Sequence, residues 1–349
     1  MIDQLVSVPY VSDILQQPGA LQDTLSAFAG AELADISRFA SQLRSGRLQR
    51  VILTGMGSSY HALHPLLLGL LGQGIPAQML ETSELVHYAP GLISPDALIV
   101  AVSQSGASAE ILQLLKQLPP QAGLIGITNT AGSPLATRAE ALLLTRAGSE
   151  NTVSCKTYVT ALVALAVLEA VLTGRDPAAA LSGLEGLPGA VAGYLSGLPA
   201  YLETLEKRLL AVQYLTLAGR GRSLAAAETG GLIIKEAAHF PAEGMSCAAF
   251  RHGPLDMVSR QNFVLVYEGL NPTRALNRKL VADIQKVGGQ AALVETAPVR
   301  EVFHLPVVPA AGLAILEILP AQMLSIALAR LHSHIPGKFS WGNKVTDTE

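Results

Sequence analysis

Two stretches of the chain hold residue types able to do chemistry on a small molecule. In the first, Ser103-Gln104-Ser105-Gly106-Ala107-Ser108, three hydroxyls and a carboxamide fall within six residues. It follows the apolar run Ala97-Leu98-Ile99-Val100-Ala101-Val102 and precedes Ala109-Glu110-Ile111-Leu112-Gln113-Leu114-Leu115, which is apolar at helical spacing. A buried strand, a hydroxyl-rich turn and a helix start are thus written in one line. A helix start offers unpaired N–H groups and the positive end of a dipole. The serines and the glutamine add neutral donors, and Gly106 lets the backbone come close. Such a set suits a dianion like a phosphate monoester, whereas an ordinary strand-to-helix turn needs only one hydroxyl as a cap. Ser59, in Gly55-Met56-Gly57-Ser58-Ser59-Tyr60, ends another strand pattern and adds a hydroxyl to the same crevice. Strand C-termini in parallel sheets face the ligand.

The second stretch runs Lys235-Glu236-Ala237-Ala238-His239, then Pro241-Ala242-Glu243-Gly244, then Arg251-His252-Gly253-Pro254. Glu236 falls in a helix beside Leu232, Ile233 and Ile234. It is either a solvated face residue or a partly buried base. His252 sits in a turn that fixes its ring in place, and is either surface decoration or an acid–base group. Other motifs carry less. Gly55-Met56-Gly57 begins like a dinucleotide fingerprint, but Tyr60 stands where the third glycine is needed for helix–strand contact, which argues against NAD. No Gly-x-x-x-x-Gly-Lys-Ser/Thr occurs. His332-Ser333-His334 lacks neighbouring carboxylates and reads as structural, and Cys155 and Cys247 have no zinc or disulfide spacing. No cofactor and no metal are expected.

These residues need a scaffold, and the chain supplies one by alternation. Strands are expected at Arg50–Thr54, Pro76–Leu80, 97–102, Gly123–Thr128 and Ala141–Thr145. Helices are expected at Tyr60–Leu71, after Ser108 and from Lys156 to Leu172. Pro18 divides two short helices in the lead-in, and 174–189, rich in Gly, Ala and Pro, reads as a linker. A second run follows, with strands at Tyr214–Ala218, Asn262–Tyr267, Ala291–Val294 and Val302–Leu305. Its helices are Ser223–His239, Thr273–Val287 and Gly312–Leu331. Such alternation implies α/β architecture with doubly wound parallel sheets. Leu53-Thr54-Gly55-Met56-Gly57-Ser58-Ser59 and Leu217-Ala218-Gly219-Arg220-Gly221-Arg222-Ser223 echo each other 164 residues apart (Gly55 to Gly219), which points to a duplicated unit. The second copy has Glu268-Gly269-Leu270-Asn271-Pro272 where the first has its serine-rich turn, so one anion site per chain is expected.

Composition sets the outer bounds. Of 349 residues, 50% are hydrophobic and 15% charged, against roughly 25% charged in a typical soluble domain. So little charge favours an oligomer with a sizeable interface. A net charge of −3 without basic runs makes nucleic acid an unsuitable partner. Met1-Ile2-Asp3-Gln4 lacks the features of a signal peptide, and Thr157–Gly174, interrupted by Glu169, is short for a membrane span. Two cysteines without a framework fit a reducing cytoplasm.

Taken together, Gly-x-Gly-Ser-Ser, Ser-Gln-Ser-Gly-x-Ser, Lys-Glu…Ala-Glu…Arg-His-Gly-Pro and a Lys-Val-Thr tail resemble the tandem sugar isomerase (SIS) domains of the isomerase half of glucosamine-6-phosphate synthase. The likeness extends to Ile14…Gln17-Pro18 and Glu150…Val153…Lys156-Thr157, nearly the whole chain. It implies that Ser103, Gln104, Ser105 and Ser108 hold a 6-phosphate, with Ser58 and Ser59 beside them and Val153 near the sugar. It further implies that Glu236 moves a proton between C1 and C2 and that His252, reaching across from a neighbouring subunit, opens the ring. Lys344 would form a Schiff base with the open-chain ketose. Chemically the set is coherent: isomerisation needs an open chain, one carboxylate serving both carbons, and donors fixing the phosphate far from the reacting end.

The departures shape the expectation. Met1-Ile2 leads straight into the isomerase-like part, where the synthases carry a glutaminase domain, so no glutamine-derived ammonia is expected. Ile233 stands where the synthases have a second lysine, a further family glutamate falls one residue away at Glu228, and Phe339-Ser340-Trp341-Gly342 replaces the usual tail run. The expected layout is a lead-in at 1–35, SIS domains at 36–175 and 206–335 joined by linker helices at 176–205, and a tail at 336–349 closing the active site. A cytoplasmic homodimer with shared active sites, binding a phosphorylated hexose or hexosamine and neither nucleic acid nor membrane, follows. The expected reaction is glucosamine 6-phosphate to fructose 6-phosphate plus ammonia. A fructosamine-6-phosphate deglycase and a non-catalytic sugar-phosphate-binding regulator are the alternatives.

Overall fold

In a computed structural model, residues 2–28 and 32–344 are described. Among these residues ten strands form two five-stranded sheets. In the first, β1 (Arg50–Gly55), β2 (Ala77–Glu81), β3 (Ala97–Val102), β4 (Gly123–Thr128) and β5 (Ala141–Leu144) lie in the order β2-β1-β3-β4-β5. In the second, β6 (Tyr214–Gly219), β7 (Ala242–Ser246), β8 (Asn262–Tyr267), β9 (Gln290–Thr296) and β10 (His304–Leu305) lie in the order β7-β6-β8-β9-β10. Every pairing is parallel. The same order twice is the duplication read in the sequence, and the α/β doubly wound expectation holds. In each sheet the chain turns to one side after the first strand and returns to the other, so a crevice opens at the C-termini of β1 and β3, and again at β6 and β8.

The described residues form two compact units, one of residues 19–28, 32–149, 156–185 and 342–344, the other of 2–18, 150–155 and 186–341. The first contains the β1–β5 sheet. Its central strand β3 is buried at all six positions, as a strand covered on both faces must be. The expected Lys156–Leu172 helix is present and almost wholly buried. The expected Tyr60–Leu71 helix is two pieces, Gly57–His61 and His64–Gly72, with Pro65 in the first turn of the second.

The other unit contains the β6–β10 sheet. One strand, β7, lies in a stretch for which the sequence predicts no strand. Ala-Glu-Gly-Met-Ser has no β-branched pattern, and the strand exists because two glycines let the Leu224–Ala238 helix touch it backbone to backbone. A Cβ on Gly231 would fall 2.4 Å from the Gly244 nitrogen, and one on Gly244 would fall 2.2 Å from the Ala227 carbonyl. The closing helix is divided at Glu317 and Ile318 into Ala310–Leu316 and Leu319–Leu331. This Ala310–Leu331 stretch is long and apolar enough to cross a membrane, yet 94% of its most apolar window is buried within the protein. Pro18 sits in the first turn of Gln17–Ala27, where its missing N–H costs no bond, and the 174–189 stretch holds the helix Pro177–Ser182.

Candidate active site

The hydroxyl cluster of the first unit is assembled by strand register. Gly55 and Val102 are partners across β1 and β3, so Met56–Ser59 and Ser103–Ser108 leave neighbouring strands at the same level. Gly57, at φ +52°, turns the chain into a short helix in which Ser58 is buried and Ser59 half-buried. After β3, the buried Ser103 donates its N–H to Ile127 at 3.0 Å, and its Oγ accepts the Gly106 N–H at 3.1 Å. The Ser105 hydroxyl accepts from Ala107 N–H at 3.3 Å.

Residues the sequence did not single out fix the turn from below. The Gln104 carbonyl accepts from Asn129 N–H and from the hydroxyls of Thr128 and Thr130, at 3.1, 3.1 and 3.3 Å. Gly106 has φ +62°, and a Cβ there would lie 2.2 Å from Ser133 Oγ. Ser133 was findable as a Ser-Pro helix start; its hydroxyl caps Ala136 N–H.

Ser108 bears on the N-cap reading of the turn. It precedes the Ala109–Gln117 helix with extended backbone, but its side chain makes no capping hydrogen bond. The ordinary N-cap role is therefore not what Ser108 does, and its hydroxyl stands at a helix start beside Gln104, Ser105 and Ala107, all half-buried. Neutral donors, a left-handed glycine and a helix start converge in a place with no lysine or arginine between Ser103 and Ser108.

The acid-bearing elements belong to the other unit. Glu236 lies half-buried one turn from the end of Leu224–Ala238, a helix closed by His239 in the left-handed conformation (φ 50°). Ile233, at the position of the family lysine, is fully buried. Tyr10, from the lead-in, is fully buried and hydrogen-bonded to Ser325 at 3.0 Å. Burial, then Cys155, and to a lesser extent Glu236 and Glu150, push its phenol well above the usual range, against the pull of Ser325. Tyr10, Glu150, Cys155 and Glu236 thus share one electrostatic neighbourhood. Glu150 accepts the backbone N–H of Cys155 at 2.9 Å and its thiol at 3.3 Å, which closes the loop carrying the buried Val153. No local pattern gives Tyr10 away, since its partners lie more than a hundred residues downstream.

His252 is exposed. It ends the Cys247–Arg251 helix, and Gly253 behind it has φ +148°. Arg251 anchors that helix through a 2.8 Å ion pair with Asp283. Burial pushes the Cys247 thiol up to about 11, so it stays protonated and is no nucleophile. His332 and His334 pack against Phe240 and His239, at ring distances of 5.2 and 4.9 Å. The Gly337 N–H donates to Ala237 at 3.0 Å, which lays the start of the tail beside the Glu236 helix. Lys344 is half-buried, while Val345–Glu349, the rest of the expected closing tail, lie outside the described residues.

Comparison with known proteins bears on the fold and the family. A model of the SIS domain matches residues 46–170. The isomerizing glutamine–fructose-6-phosphate aminotransferase of Pyrococcus horikoshii is 31% identical over 346 residues, covering 94% of this chain and 56% of that protein. The chain spans about half the length of the curated relatives it matches. Among solved structures, the C-terminal domain of glucosamine-fructose-6-phosphate aminotransferase from Francisella tularensis superposes with a TM-score of 0.82 at 21% identity, covering 98% of each chain. Glucosamine-6-phosphate deaminase from Thermotoga maritima gives 0.74 at 18%, covering 97% of this chain and all of that one. At these identities the superpositions speak for the fold.

Proposed function

Because the chain belongs to the SIS-domain family, we propose that it is a sugar-phosphate isomerase whose substrate is a hexose 6-phosphate bearing nitrogen at C1 or C2. The reaction we assign is conversion of glucosamine 6-phosphate and water to fructose 6-phosphate and ammonia. The observation that carries the reading is the uncapped, charge-free hydroxyl turn Ser103–Ser108, which suits the phosphate of a sugar. In this scheme Ser103, Gln104, Ser105 and Ser108, with Ser58 and Ser59, hold the phosphate, and Val153 packs near the sugar. His252 opens the ring, and Glu236 takes the proton from C2 and returns it to C1. The resulting imine at C2 is hydrolysed, which releases ammonia. The exposure of His252 supports a role across a homodimer interface, where it would serve the partner subunit's site. Lys344 is assigned to the open-chain ketose. A cytoplasmic location fits two buried cysteines that form no disulfide.

A steady-state assay with glucosamine 6-phosphate, following ammonia and fructose 6-phosphate together, tests the assignment. Equal release of both products is expected. No turnover with glucosamine 6-phosphate, but release of amine from a 6-phosphorylated fructosamine adduct, would make the chain a deglycase. Saturable binding of both without turnover would make it a sugar-phosphate sensor.

A further inference from the structure

The duplicated crevice at β6 and β8 repeats the backbone of the phosphate turn closely. Gly57 and Gly221 have φ +52° and +59°, and the residues before them, Met56 and Arg220, are both extended. Ser223 occupies the place of Ser59. Across the switch point, Ser103 donates its N–H to Ile127 at 3.0 Å, and Glu268 donates its own to Val294 at 2.9 Å. Val102 pairs with Ile127 in β3 and β4, as Tyr267 pairs with Val294 in β8 and β9. Glu268 is therefore the positional counterpart of Ser103, and Gly269, at φ +66°, follows it.

What differs is the side chains. Glu268 is 2% exposed, and both its oxygens are engaged by guanidinium groups of the following helix, Arg274 on one and Arg278 on the other. Those arginines are 39% and 55% exposed, so they form a rim open to solvent above a sealed carboxylate. Asn277 donates to the Glu268 carbonyl at 3.0 Å and accepts from Arg220 Nε at 3.0 Å, which ties the two halves of the crevice together. Ser223, unlike Ser59, donates to the buried Glu317 at 2.8 Å.

We infer that the second crevice is an anion site filled by the chain's own Glu268 carboxylate, with Arg274 and Arg278 as its grip, and that removing this carboxylate opens it to an external phosphate. Two guanidinium forks on one carboxylate present the donor geometry that also recognises phosphate oxygens. A buried carboxylate is retained only with such partners, and deleting it leaves Arg274 without its anion and Arg278 with only its 2.9 Å pair to Glu295 at the exposed side. An external dianion then restores the balance, and a ligand bound to the folded state raises its stability.

The test compares wild type, Glu268→Ala, and Glu268→Ala combined with Arg274→Ala and Arg278→Ala, titrated with inorganic phosphate against chloride at matched ionic strength. Calorimetry counts bound phosphate, and thermal melting follows stability. The expected result is about one more phosphate per chain in Glu268→Ala than in wild type. Its Tm should rise with phosphate more steeply than that of wild type, and both gains should vanish in the triple variant. The inference is overturned if Glu268→Ala binds no more phosphate than wild type, or if the gain survives in the triple variant. It is equally overturned if Glu268→Ala fails to fold even at saturating phosphate. Because each readout is a difference from wild type, the outcome does not depend on how many phosphates the first crevice takes.

Discussion

The two switch points of this chain share a backbone and differ in charge. At β1 and β3 the turn offers Ser103, Ser105 and Ser108, with no acid or base from Ser103 to Ser108. At β6 and β8 the same hydrogen-bonding position holds Glu268, and the serine after the Gly-x-Gly turn is bound to Glu317. Burial pushes Glu317 up to about 8, which marks a place the fold has closed to water. A doubly wound sheet supplies a crevice wherever its topology reverses. Whether that crevice takes a ligand is set by the few side chains on its rim.

The sharpest way to break the comparison is to move the acid. Ser103→Glu places the carboxylate of the second crevice in the first, without the arginines that tolerate it. Affinity for glucosamine 6-phosphate, read by calorimetry or KM, should fall by roughly 100-fold or more through like-charge repulsion. Retained affinity would mean that the phosphate lies elsewhere. Next in size, Gly106→Ala and Gly269→Ala impose the same left-handed strain, with a new Cβ 2.2 Å from Ser133 Oγ and 2.9 Å from Ser223 Oγ respectively. Each should lose about 1–3 kcal/mol in denaturant melts. Only Gly106→Ala should also weaken substrate binding; an equal loss from Gly269→Ala would erase the distinction between the crevices.

Smaller effects sharpen the picture. Ser108→Ala removes one hydroxyl from the phosphate without removing a helix cap, so KM should rise about tenfold with Tm unchanged. A drop in Tm with normal KM would return Ser108 to a structural role. Glu317→Gln tests the closed crevice. The Glu317 pKa is raised on folding, so its contribution is fully present below the unfolded value of 4.5 and is lost as pH rises through about 8. Thermal melts should show wild type losing stability relative to Glu317→Gln between those pH values. The gap should be small below pH 4.5, already amount to several degrees at neutral pH, and level off above pH 8. Parallel curves would show that Glu317 is not sealed.

Local signals made much of this legible. The strand–turn–helix line around Ser103 and each copy of the Gly-x-Gly-x-Ser motif are written within about a dozen residues, and the structure builds the two parallel sheets they belong to as read. The strand β7 was not legible, because a pair of glycines, Gly231 and Gly244, replaces the apolar pattern a strand normally shows. Tyr10 was read as part of the lead-in and Glu150–Cys155 as part of the first SIS domain, yet both lie in the unit that carries Glu236. Their grouping comes from long-range packing that leaves no periodic trace. The division of the closing helix at Glu317 was hidden for another reason, since Gly312–Leu331 keeps its apolar spacing through the break.

Isotope uptake from solvent addresses the central claim most directly. Glucosamine 6-phosphate turned over in heavy water should yield fructose 6-phosphate carrying deuterium at C1, because the proton held by Glu236 exchanges with solvent before delivery to C1. Glu236→Gln should lower the rate of that incorporation by roughly 100-fold or more while leaving calorimetric binding of the sugar phosphate intact. Unchanged incorporation in Glu236→Gln would remove Glu236 as the base and contradict the account.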